Sequence, residues 1–196
     1  MPRQNRVTPA GDLVACSARG TMFGNRGVLH DASGVIVRRG QVRRWIVCEL
    51  SFRGRRREIM APNRYTELFF LDEAVALAAG HRPCAECRNA DYRLFRSLWV
   101  VSDLPRAEDI DAVLAAERAL VDGRRQTWPM AADKIPRGVF VEWSDSYWLV
   151  NDGLIRWNPS GYTDRVPMPT GDLAVLTPPS TVAVIAQGYR PRLHGS

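Results

Sequence analysis

The chain has 196 residues, 45% of them hydrophobic and 9% aromatic, a composition that suits a folded protein and excludes disorder. No run approaches the roughly 18 consecutive apolar residues of a membrane helix, and Met1–Val14 has no apolar core, so neither a membrane span nor a signal peptide is expected and a cytoplasmic protein is. The net charge of +6 is uneven: residues 1–60 hold 12 arginines against Asp12, Asp31, Glu49 and Glu58, the footprint expected of a phosphate-binding surface.

In chain order, the first third reads as antiparallel strands. Asp12–Ser17, Gly34–Arg39 and the alternating Trp45–Phe52 are strand-forming, and Arg57–Met60 follows the basic hairpin tip Arg53–Arg56. Arg19–Asp31, with Gly20, Gly24 and Gly27, reads as a loop. The middle is helical. After a brief strand at Leu68–Leu71, Asp72 caps Glu73–Ala79 and Gly80 closes it. A second helix is predicted from Cys84 to about Val100, with Tyr92, Phe95, Leu98 and Trp99 inward, and a third from Ala107 to Val121. A C-terminal β-meander follows: Val139–Trp143, Tyr147–Asn151 and Leu154–Trp157, the second turn being Asp152-Gly153. Leu173–Leu176 adds a strand and Thr181–Gln187 a short closing helix. This order predicts an α+β fold, divisible into residues 1–129 and a lobe at 130–196 that together make one compact unit.

The densest chemistry is His81-Arg82-Pro83-Cys84-Ala85-Glu86-Cys87. Two cysteines three apart at a helix start can face one ion, and a reducing compartment disfavours a disulfide. Zinc is the cofactor this spacing suggests; buried structural thiols and a redox pair are the alternatives. A tetrahedral site needs two further ligands from among Cys48, His81, His30, Cys16 and His194, ranked with Cys48 first and His81 second.

Residues 65–88, YTELFFLDEAVALAAGHRPCAECR, resemble the second half of the Ada-type metal-binding domain of DNA alkylation-repair proteins. Phe69-Phe70, Glu73-Ala74, Gly80, Arg82, Pro83, Cys84 and Cys87 carry the likeness, with His81 at a position usually aromatic. The resemblance implies that Cys84 and Cys87 bind zinc in a treble-clef-like element of a domain that meets DNA phosphates. The family's earlier C-x-x-x-C pair, one cysteine of which accepts a methyl group, is missing: Cys48 stands alone, 36 residues before Cys84. Methyl transfer is therefore not carried over.

The leading expectation is a zinc-stabilised nucleic-acid-binding protein, DNA before RNA, with Arg38, Arg39, Arg43, Arg44, Arg53, Arg55, Arg56 and Arg57 facing phosphates. The bias to 26 Arg and one Lys also fits a high-GC genome, which does not explain why the surplus gathers in one region. The alternative is a metal-dependent hydrolase or nucleic-acid-processing enzyme with a zinc-activated water and His30, His81 or Glu86 as acid–base partner. A small structural module without metal is the third reading.

Overall fold

Short runs of strand-forming residues between positions 4 and 83 build a six-stranded sheet in the computed structural model, which describes residues 1–55 and 58–195. Its strands are β1 (Gln4–Val7), β2 (Leu13–Ala15), β3 (Met22–Asn25), β4 (Ile46–Glu49), β5 (Leu68–Phe70) and, after helix α1 (Glu73–Ala78), β6 (Arg82–Pro83). They lie in the order β2-β1-β5-β3-β4-β6. Helices α2 (Asn89–Ser97) and α3 (Ala107–Glu117) follow, then a ribbon of β7 (Leu120–Val121) and β8 (Arg124–Arg125). The second six-stranded sheet uses β9 (Trp128–Ala131), β10 (Phe140–Trp143), β11 (Ser146–Val150), β12 (Leu154–Asn158), β13 (Gly161–Val166) and β14 (Asp172–Val175), in the order β13-β12-β11-β10-β14-β9. Helix α4 (Pro179–Ala186) closes the α+β fold.

Several elements depart from the sequence pattern for identifiable reasons. The glycine-spaced segment Arg19–Asp31 contains β3, an inner strand. Gly24 serves close packing there: a Cβ would meet the Ile46 carbonyl oxygen at 2.3 Å and the Phe70 ring at 2.8 Å. Gly34–Arg39 is not a strand, because Val35 and Val37 stay exposed and only an isolated His30–Ile36 bridge forms. The predicted strand at 57–60 is a turn at its described end, with Met60 at φ 59°. The second helix begins at Asn89, so Cys84–Arg88 is the turn before it. In β9, Pro129 is tolerated because the strand lies at the sheet edge.

Helix α1 is apolar all round apart from Glu73, and every residue of it is buried between the sheets. Its alanines pack with Val7, Phe70 and Leu71 from the first sheet and with Phe140 and Leu149 from the second. Residues on both sides of position 130 thus share a core, and a boundary at 129/130 would cut through β9.

Two carboxylates tie α1 to distant chain. Asp72 caps the helix through Val75 N–H (3.0 Å) and also accepts the Tyr162 hydroxyl (2.6 Å) and the His194 N–H (3.0 Å). Burial pushes the Asp72 carboxyl above its ordinary value, while these three donors pull it down. In Tyr162→Phe, with one donor gone, stability should fall by about 1–3 kcal/mol at neutral pH. A carboxyl raised in the folded state favours folding only when protonated, so the deficit should shrink as pH falls through its raised pKa. Urea denaturation of both proteins at neutral and acid pH checks the sign; a pH-independent difference would contradict it.

Candidate metal centre and its basic surroundings

The thiols are brought together by pairing at the sheet edge. β6 runs parallel to β4, with Ile46 opposite Arg82 and Val47 opposite Pro83, and the Cys84 N–H donates to the Val47 carbonyl at 2.9 Å. The chain then turns, closed by Arg88 N–H on the Cys84 carbonyl (3.1 Å), and enters α2. This places the sulfurs of Cys48, Cys84 and Cys87 within 4.8 Å of one another, packed by Phe23, Ile46 and Phe69. A tetrahedral site with metal–sulfur bonds of about 2.3 Å has sulfur–sulfur edges of about 3.8 Å, so the triad has the size and softness to hold a metal ion.

The electrostatics agree with a shared site. The Cys84 thiol is pulled far down, first by the Cys48 thiol donating to it, then by Cys87, with the Glu86 and Cys87 N–H groups adding to the effect. Cys48 is pushed up, chiefly because its proton is held by Cys84 and Cys87 and then by burial. Cys87 is drawn down by Cys48, yet ends raised because Cys84 and burial act against its ionisation. The hydrogen bonds to Cys84 thus favour its ionised form within the cluster, and further thiolates need a positive partner.

Of the expected metal ligands, Cys48, Cys84 and Cys87 come together and His81 does not. Its Nε2 accepts the Arg26 Nε–H (3.2 Å), so its Nδ1 carries the proton and faces the Ala76 carbonyl (3.2 Å). Full burial, then the charges of Arg26 and Arg118, push its pKa well below the ordinary value and keep it neutral. The ring fills a buried slot between Trp45 and Phe70, with ring centroids 5.2 and 4.7 Å away. Arg26 and Arg118 both lie over Trp45, at 3.9 and 4.1 Å from its ring.

His30 is also internal: one ring nitrogen bonds Thr66 (2.7 Å) and the other the Ala61 carbonyl (3.3 Å). His194 is tied to Asp72 through its backbone, and Cys16 lies outside the thiol group. Glu86 is exposed beside Cys87 and paired with Arg55 at 2.5 Å. Among the described residues no fourth His, Cys, Asp or Glu joins the triad. A cleft of about 670 Å³ borders Cys84, lined by Arg43, Arg44, Glu86 and Glu108 together with the Arg82–Asp111 ion pair.

The predicted phosphate contacts separate into groups. Arg43 and Arg44 are exposed beside the Cys84 cleft, and Arg53 and Arg55 flank Phe52. Arg38 is exposed on the 26–45 loop, whereas Arg39 is turned inward to Asp12 (2.6 Å) and the Ala10 carbonyl (2.6 Å). Arg56 and Arg57 lie outside the described residues. Sequence patterns missed Arg3 and Arg6, which stand singly and not in runs, yet line one pocket with Arg19.

Strand register explains why these groups share a surface. Arg6 pairs with Phe69, Phe69 with Phe23 and Phe23 with Cys48, so the four form one row on one face of the first sheet. The opposite face, carrying Val7, Met22, Val47, Leu68 and Phe70, is the core. No family model matches this chain, and no curated protein or solved structure does. No helix among the described residues is long and apolar enough to cross a membrane.

Proposed function

We propose that this chain is a zinc-stabilised nucleic-acid-binding protein that takes DNA ahead of RNA and serves DNA repair or processing. The observation that carries this reading is the placement of the thiol triad on the sheet face that also presents Arg6 and is edged by Arg43, Arg44, Arg53 and Arg55. Zinc suits three soft thiolate donors in a closely packed group, and the cysteine turn leading into α2 is similar to a treble-clef element short of one ligand. Guanidinium forks match phosphate oxygens and are always charged, so the exposed arginines supply affinity without base specificity.

Fluorescence anisotropy with labelled DNA over a salt series tests the reading. Affinity should fall steeply with salt, by about 0.9 log units per log unit of salt for each phosphate neutralised. Arg43→Ala/Arg44→Ala should lower that slope by about 2 and weaken binding equally across sequences. No binding to DNA or RNA at low salt, or a salt-insensitive affinity, would contradict it.

A second reading rests on the triad having only three protein donors beside a cleft. A zinc ion there would supply a polarised water, with Arg43 and Arg44 positioned for a phosphate and Glu86 the nearest exposed carboxylate. His30 and His81 do not serve it, since both rings are committed internally. Hydrolysis of a phosphodiester by the wild type, lost in Glu86→Gln with metal retained, would favour this reading.

A further inference from the structure

The row of side chains that ends at Cys48 begins, three strands away, in a pocket of about 510 Å³ at Arg6. At about 4.8 Å per strand the two ends are roughly 14 Å apart on the same sheet face. The pocket interior is apolar, formed by Phe69, Leu50 and Ile59, and among the described residues its charged lining groups are Arg3, Arg6 and Arg19. Its volume falls within the range of small-molecule sites. The Arg6 guanidinium lies 4.7 Å from the centre of the Phe69 ring, pinned there by the Ala18 carbonyl (2.5 Å) and Asn5 Oδ1 (2.8 Å). Arg3 reaches across to the Ile59 carbonyl, and Arg19 is exposed.

We propose that this pocket binds one unstacked nucleotide of a single strand, the base on the Arg6–Phe69 stack and the phosphate at Arg19 and Arg3. The inference rests on the nucleic-acid reading and adds a site to it. Planar stacking surfaces backed by guanidinium groups accept any base by its π-face, and a rim of cations without a carboxylate accepts its phosphate. An apolar chain ending in a carboxylate would satisfy the charge and leave the stacking surface unused.

Cys16 lines the same pocket, half-buried and outside the thiol triad, and so reports on occupancy. Zinc-loaded protein is alkylated with iodoacetamide and the rate at Cys16 followed by peptide mass mapping, alone and with deoxythymidine 5′-monophosphate, thymidine or decanoate. The monophosphate should slow Cys16 by about fivefold or more, and thymidine much less. Arg19→Ala, and separately Arg3→Ala, should lose that protection, measured against each variant's own ligand-free rate. Protection by decanoate and not by the nucleotide, equal protection in both variants, or none at all would overturn the proposal. Oligo(dT) binding is read by anisotropy in the same samples. Binding that leaves Cys16 unprotected removes the pocket and keeps the nucleic-acid interface, whereas failure of both removes both.

Discussion

Replacing Cys84 with serine should remove the bound metal and lower the melting temperature by about 8–16 °C relative to the zinc-loaded protein. The triad draws on two separate parts of the chain: Cys48 sits on β4, and Cys84 and Cys87 flank the turn after β6. Only the folded chain brings the three sulfurs within 4.8 Å, so a metal held there binds the native state far better than the unfolded one. With free zinc at about a thousand times its Kd, that linkage is worth about 4 kcal/mol. A protein of this size melts about 2–4 °C lower per kcal/mol lost, which gives the range above. Cys84 is the informative position because its sulfur receives bonds from both other thiols and from two backbone N–H groups. Scanning calorimetry with and without a chelator checks the effect. Equal melting of wild type and Cys84→Ser, with chelator making no difference, would mean the thiols are only packing groups.

Asp111→Ala is expected to cost about 3–5 kcal/mol, since it would leave Arg82 buried without its counter-charge. The pair is two-pronged, Nε to Oδ1 at 2.8 Å and Nη2 to Oδ2 at 2.9 Å, with the side chains only 2% and 7% exposed. It joins α3 to β6, and the Arg82 N–H also donates to the Trp45 carbonyl at 3.1 Å. Breaking it should loosen β6 against β4 and weaken metal retention as well as stability. The double variant Arg82→Met/Asp111→Ala should recover much of the loss, because no charge is then stranded. Denaturation of wild type and both variants measures this. A single-variant cost under about 1 kcal/mol would show that Arg82 finds solvent or another partner.

Where local chemistry decides structure, the sequence was readable. Asp72 and Gly80 delimit α1 because one caps the first turn and the other accepts φ 85° at its end. Asp152-Gly153 makes its hairpin with both residues at positive φ. Cys84 and Cys87 declare themselves by spacing, and Cys48 follows because a strand beside the turn supplies the third sulfur. What stayed hidden depends on tertiary packing. Gly24 resembles a loop glycine until Phe70 is seen filling its missing side chain. β1 (QNRV) is short and polar, β13 (GYTDRV) is polar without a clean alternation, and only their partners make them strands. His81 has the spacing of a ligand, yet the Arg26–Trp45–Phe70 slot that claims it is assembled from three strand-associated segments. Arg39 likewise cannot be told from Arg38 until Asp12 is found beside it.

Native mass spectrometry of freshly reduced protein, purified without added metal, tests the central claim most directly. The triad predicts one zinc per chain, removed by a strong chelator and missing in Cys84→Ser. A wild-type mass equal to that of the bare chain, unchanged by chelator or by added zinc, would contradict it.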